Sequence, residues 1–249
     1  ISVAICTQTA MAQTPRWLDP QVNRVNTEKS RSSFFAYESE SLAKKGVKEE
    51  SNRFLSMEGT WKFRFCKDHN LAPKNFFLPD YDDTLWDKFP VPGLFEMNGY
   101  GDKIYKNVGY AWATQFASNP PHVEEKNNYT GSYRRTFNIP AQWKGDRIYV
   151  HVGSATSNLT LWVNGKEVGY SEDSKLAAEF DITKYVVPGQ KATIAMQVMR
   201  WCDGSYGEDQ DFWRFTGIAR EVYMYARPAA HIQDLFVTAG LTNNYTDGT

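Results

Sequence analysis

Asn164 and Gly165 stand between two runs in which apolar and polar side chains alternate, residues 159–163 and 166–170. Alternation places successive side chains on opposite faces of a strand, and Asn-Gly supplies the two positive φ angles of a type I′ turn. The pair therefore demands a tight antiparallel hairpin with one buried face. The same period of two recurs in Trp61, Phe63 and Phe65, separated by Lys62 and Arg64, and in residues 147–152, where Ile148, Val150 and Val152 share a face. Further strands are expected over 132–138, 192–200 and 219–225, separated by turn chemistry such as Pro188-Gly189. No long helical period interrupts them. Many antiparallel strands joined by irregular loops imply an all-β chain, folded as a two-sheet β-sandwich over residues 56–226.

The length of 249 residues allows one large domain or two small ones. Hydrophobic residues make up 41% and charged residues 23%, which excludes a disordered tail and a disulfide-stapled mini-protein. Lys and Arg number 28 against 29 Asp and Glu, so the chain carries no electrostatic footprint for nucleic acid or an anionic membrane. A neutral partner fits that balance better. Aromatic residues, at 15%, suit sheets and the flat faces of sugars alike, so composition does not choose between those uses.

The chain opens on Ile1 with an apolar run to Cys6, followed by Ala10-Met11-Ala12-Gln13. Ala10 and Ala12 give the small-x-small pattern of a signal-peptide cleavage site, so residues 1–12 are expected to be the remnant of an export signal, and the protein periplasmic or extracellular. Lipidation at Cys6 is the alternative, with Ile5 standing where a small residue is expected. No later apolar run is long enough to span a bilayer. Cys66 and Cys202 are expected to be small buried hydrophobes, although an oxidising compartment permits a bridge. Asn-x-Thr sequons begin at Asn128, Asn158 and Asn244, and none is assigned a role.

Residues 13–55 are polar and without a sustained apolar period, and are expected to form an extended arm with a short helix over 38–45. Arg227-Pro228 ends the sandwich. A fresh strand is expected over 231–238, with no hairpin partner before the sequence stops. Residues 227–249 are therefore expected to begin a second domain.

Chemistry concentrates between Arg200 and Arg214, where Asp203, Glu208, Asp209 and Asp211 lie among Trp201, Tyr206 and Trp213. Like charges this close raise a pKa, recruit an arginine or bind a cation. A carboxylate beside an indole can also hold a sugar, the acid accepting from hydroxyls while the ring covers the apolar face. An acidic surface loop with structural tryptophans fits the same residues. A calcium loop of the EF-hand kind does not, because the segment lacks the alternating Asp positions and the closing Glu. A glycosidase pair of Glu208 and Asp211 would need carboxyls about 5–5.5 Å apart, which spacing in sequence does not decide.

The segment 200–222, with Glu208, Asp209, Gln210, Asp211, Phe212, Trp213 and Arg214 at its centre, resembles the corresponding stretch of bacterial β-galactosidases of glycoside hydrolase family 2. So do residues 20–37, the loop through Met97-Asn98-Gly99-Tyr100 and 104–110, and the hairpin 164–170 with Asp173-Ser174-Lys175. The resemblance spans residues 15–249. It implies a sugar-binding jelly roll followed by the first strand of an immunoglobulin-like domain. The acid/base and nucleophile glutamates of a retaining double displacement would then lie in a (β/α)₈ barrel outside these residues, leaving no catalytic group here. The family has two binding residues whose motifs match Asn107 and Asp211. The resemblance implies that Asn107 reaches the galactose, that Asp211 binds the galactose and a sodium ion, and that Mg²⁺ is held elsewhere in the parent, which is expected to be a homo-oligomer. Ala111 after Tyr110, and the missing proline in the stretch 127–133, depart from the family pattern. A stand-alone carbohydrate-binding module and another family 2 specificity, glucuronidase or mannosidase, are the competing readings. Trp201 and Trp213 are expected in the core, as tryptophans of a sandwich usually are.

Overall fold

A computed structural model describes residues 14–208 and 211–249. The expected leader, residues 1–12, lies outside them. In chain order the strands are β1 (Arg24–Val25), β2 (Phe54–Ser56), β3 (Gly59–Cys66), β4 (Asp87–Val91), β5 (Gly93–Leu94), β6 (Ile104–Lys106), β7 (Thr130–Asn138), β8 (Arg147–Val152) and β9 (Leu159–Val163). They continue with β10 (Lys166–Ser171), β11 (Ala178–Asp181), β12 (Lys191–Met199), β13 (Phe212–Arg214), β14 (Gly217–Ile218), β15 (Val222–Arg227), β16 (Leu241–Thr242) and β17 (Asp247–Gly248). A seven-stranded antiparallel sheet runs β1-β10-β9-β12-β7-β3-β4, and a four-stranded sheet runs β11-β8-β15-β2. The chain is the expected all-β sandwich.

The hairpin at Asn164 and Gly165 forms as the sequence requires, with φ of 50° and 80° at the two turn residues. Lys166 faces Val163 across the turn. One contiguous core joins the sheets. Leu159, Leu161 and Val163 of β9 and Ile194, Met196 and Val198 of β12 belong to the same buried cluster as Ile148, Val150 and Val152 of β8. Each such side chain contributes roughly 1.5–3 kcal/mol through burial, so this cluster holds the two layers together. The outer face of the large sheet is closed by the loop after β3. Arg134 of β7 anchors it, with Nε donating to Asp83 at 2.7 Å and Nη1 to the Leu78 carbonyl at 2.8 Å.

The arm is less extended than its polarity implies. Trp17 and Leu18 are buried, β1 pairs with the hairpin strand β10, and Arg31 bonds Glu179. Its short helix, α1 (Glu40–Lys45), is capped by the Ser39 hydroxyl and closed by Gly46 in the left-handed region. β2 begins at Phe54, so the sandwich takes in two residues assigned to the arm. The strand expected over 219–225 is shifted to β15, because Gly217 and Ile218 pair with β5 and the turn after them uses up Ala219 to Glu221.

The strand expected over 231–238 is absent. Residues 231–238 have no ladder partner among the described residues; Arg227 donates instead to the Ile232 carbonyl, and the Ser32 hydroxyl and backbone N–H donate to Asp234. Apolar alternation favours a strand only where another strand can satisfy its backbone. Past them β16 and β17 pair as a short hairpin, with Asn243, Asn244 and Tyr245 of the connecting loop at positive φ. Cys66 and Cys202 are both free thiols. Asn128 and Asn158 are fully buried, bonded to the backbone of Trp201 and Met199, so two of the three sequons serve the fold. No helix among the described residues is long and apolar enough to cross a membrane.

Candidate functional site

Outside the main sheets, β6 and β13 form a two-stranded antiparallel ribbon. Ile104 faces Arg214, Tyr105 faces Trp213 and Lys106 faces Phe212. Alternation divides the ribbon into two faces. Ile104 and Arg214 are buried on one, whereas Tyr105 and Trp213 on the other are 49% and 50% exposed. Asn107 directly follows β6 and Asp211 directly precedes β13, so both lie, exposed, where the paired strands end. The two residues singled out from sequence thus adjoin the same end of one ribbon.

Asp211 is held from the side. The Tyr105 hydroxyl donates to its Oδ1 at 2.6 Å, and that bond raises the Tyr105 phenol above its ordinary pKa. The Tyr105 ring lies 5.4 Å from Trp213, which stacks at 5.6 Å and 13° on Phe215. Trp213 is therefore not the core residue expected, because its strand belongs to a ribbon with one open face rather than to a sandwich layer. Trp201 does lie in the core, 2% exposed, edge-on to Phe116 and beneath the Arg214 guanidinium at 5.0 Å.

Arg214 closes the base of the acidic segment. Its Nη2 donates to Ser205 Oγ at 3.1 Å and to the Arg200 carbonyl at 3.3 Å, and its Nη1 to the Glu208 carbonyl at 3.3 Å. Glu208 turns inward: Ser174 Oγ donates to it at 2.6 Å, and Arg214 lies 3.7 Å away. Burial raises the Glu208 carboxyl, against the Ser174 bonds and the Arg214 charge. Glu208 and Asp211 thus occupy different surroundings, one packed under the segment and one on the open ribbon.

A second acidic group lies deeper. Donor atoms of Glu172, Cys202 and Asp203 lie within 4.8 Å of one another, all three residues being buried. Burial, reinforced by the Asp203 and Glu208 carboxylates, pushes the Glu172 carboxyl up to about 9, although the Tyr170 hydroxyl donates to it. Burial likewise pushes the Cys202 thiol to about 12. Near neutrality both are protonated, and Glu172 can share its proton with Asp203, whose buried Oδ2 has no other partner among the described residues. This group is not legible in the sequence, because it unites a strand end with a turn that follows another strand. Tyr105 is, since a residue two before Asn107 in a strand shares its face.

A β-sandwich that carries a carboxylate and open aromatic rings on an exposed ribbon has chemistry suited to holding a carbohydrate. Residues 54–228 match the family model for the glycosyl hydrolases family 2 sugar binding domain. The chain belongs to glycosyl hydrolase family 2. It is 40% identical over 94% of its length to a β-galactosidase of Priestia megaterium and 37% identical over 93% to one of Halalkalibacterium halodurans, in each case spanning 23% of that relative. The chain thus covers about a quarter of the curated relatives it matches. Among solved structures, a calcium-binding mutant of Bacteroides uniformis β-glucuronidase 2 aligns with a TM-score of 0.53 at 23% identity, over 70% of this chain and 18% of that one. That likeness supports the sandwich fold.

Proposed function

We propose that this domain serves an exported β-galactosidase, which removes terminal non-reducing β-D-galactose from β-galactosides by a retaining double displacement, and that Asn107 and Asp211 help position the galactose. The observation that supports this reading is the pairing of β6 with β13, which Asn107 directly follows and Asp211 directly precedes at an exposed ribbon end. The names of the relatives at 37–40% identity support the galactoside. A carboxylate accepts from sugar hydroxyls, and an amide both donates and accepts, so together they can fix the orientation of a ring. Asp211 also suits a sodium ion. Its carboxylate and the Asn107 amide offer hard oxygens at one end of the ribbon, and sodium bound there would neutralise the acid while holding a sugar hydroxyl. The catalytic glutamates and the Mg²⁺ ligands are assigned to the remaining length of the parent, so these residues orient the substrate without breaking its bond. The same proposal assigns the parent a homo-oligomeric state.

The test uses the full-length parent with a chromogenic galactoside. Asp211→Asn should lower kcat/KM on the order of a hundredfold and remove the response to sodium. Asn107→Ala should lower it about tenfold. The 249-residue chain alone should hydrolyse nothing. An unchanged sodium response in Asp211→Asn overturns the metal assignment, and hydrolysis that purifies with the isolated chain overturns the division of labour.

A further inference from the structure

The Asp211 carboxylate sits on an exposed ribbon end, where its terminal torsion has a broad, roughly two-fold profile and either oxygen can be presented. A ligand bound through a turning carboxylate must freeze it first. Here one group does so in advance, since Tyr105 is the donor to that carboxylate among the described residues, at 2.6 Å onto Oδ1. The donor is fixed in turn. Tyr105 faces Trp213 across the ladder with its ring 5.4 Å away, and Trp213 stacks on Phe215. The strand that carries Tyr105 also leads directly into Asn107, so one short element places both the amide and the clamp on the acid.

We infer that Tyr105 is a positioning residue of the sugar site: by occupying Oδ1 of Asp211 it leaves the second carboxylate oxygen directed at a galactose hydroxyl and its cation. This rests on Asp211 being the galactose- and sodium-binding carboxylate. A bond from a neutral donor to an ionised acceptor is stronger than a neutral pair, and preorganising a ligating group raises affinity by removing the cost of ordering it. Tyr105 need not touch the sugar for this. Its effect falls on how much sodium is needed and how tightly the sugar is held.

The experiment compares wild type, Tyr105→Phe and Asp211→Asn in the full-length parent. Calorimetric titration with a non-hydrolysed thiogalactoside, in sodium chloride against choline chloride at constant ionic strength, reads affinity without turnover. Tyr105→Phe should raise the sodium concentration for half-maximal tightening by about threefold to tenfold, the range for losing one hydrogen bond to a charged acceptor at a partly solvated site. At saturating sodium and substrate its kcat should stay within about twofold of wild type, with the defect confined to KM. A general loss of folding would instead lower the apparent kcat and leave KM unchanged. If Asp211→Asn abolishes the sodium effect while Tyr105→Phe leaves the midpoint at the wild-type value, the positioning role is wrong and the site reading stands. If Asp211→Asn also keeps the full sodium effect, the site reading fails and this inference fails with it.

Discussion

Arg31 of the arm and Glu179 of β11 form a two-pronged ion pair, Nε to Oε2 at 3.1 Å and Nη2 to Oε1 at 2.9 Å, with His151 Nδ1 3.0 Å from the same Oε1. Both side chains are about nine-tenths buried. Besides the burial of Trp17 and Leu18 and the packing of Phe35, the arm is held to the small sheet at this point by charge. Burial works to raise the Glu179 carboxyl, but the His151 bond and the Arg31 charge outweigh it, and its pKa is lowered. Glu179→Gln should destabilise the chain by about 2–4 kcal/mol, because it leaves Arg31 buried without its counter-charge. The arm should then be cut sooner in limited proteolysis. The pH dependence follows from the sign of the shift. A carboxylate lowered in the folded state stabilises fully above its unfolded value near 4.5, and that contribution disappears as pH falls through the folded value. The melting temperature of Glu179→Gln should therefore fall less steeply below pH 4.5 than that of wild type.

Glu172 predicts the opposite slope. Its carboxyl is raised to about 9 by burial and by neighbouring carboxylates, so between pH 4.5 and 9 the folded chain holds a proton that the unfolded chain has lost. Stability from this group is complete below pH 4.5 and is lost as pH rises through 9. Glu172→Gln keeps the shape, an acceptor for Tyr170 and a donor for Asp203, without the titration. It should match wild type near pH 5 and exceed it at pH 9 by on the order of 2 kcal/mol, allowing for partial solvent screening. Thermal melts at the two pH values would show this, and an equal difference at both would contradict a buried, proton-holding Glu172.

The sandwich was legible because its strongest signals are local. Residues 147–152 and the Asn164-Gly165 hairpin need only the alternation of their own side chains and a turn that matches them. The expected strand over 231–238 failed for the converse reason, since alternation says nothing about the presence of a partner. Asn107 and Asp211 were recognisable only through resemblance to a family; nothing in their spacing reveals that β6 and β13 pair. Trp213 was misplaced because average burial of tryptophan says little about a ribbon whose outer face is open. The Glu172 group stayed hidden because its members become neighbours only through the fold.

Gly131 tests how tightly the aromatic end of the core is packed. A Cβ there would fall 2.4 Å from Phe95 Cζ and 2.7 Å from Phe63 Cε2, and both rings are fully buried. The rings cannot yield without disturbing Phe89 and Tyr133, which pack against them. Gly131→Ala should therefore cost about 3 kcal/mol through overpacking. Gly207→Ala is the control: its Cβ would lie 3.8 Å from the Gly204 carbonyl, an ordinary contact, and its effect on chemical denaturation should be within about 0.5 kcal/mol.

Arg214 joins the stability of the ribbon to the behaviour of the site. Its guanidinium, 2% exposed, bonds the Glu208 and Arg200 carbonyls and the Ser205 hydroxyl while lying over Trp201, so one planar fork ties both ends of the segment that carries Asp211 to the core. Lysine at this position keeps the charge but replaces the fork with a single ammonium, which cannot reach three acceptors in divergent directions or stack on the indole. Arg214→Lys should lower stability by about 2–3 kcal/mol, the scale of stranding buried carbonyl partners. In the full-length parent it should also weaken galactoside binding, because the Asp211 end of the ribbon loses the anchor of its segment. The two effects are separable. A cooperative melt shifted by several degrees shows that the fold persists, and galactoside affinity measured well below that melt then reports the site alone. Wild-type affinity together with a lowered melting temperature would confine Arg214 to the core and leave Asp211 positioned by the Tyr105 side of the ribbon.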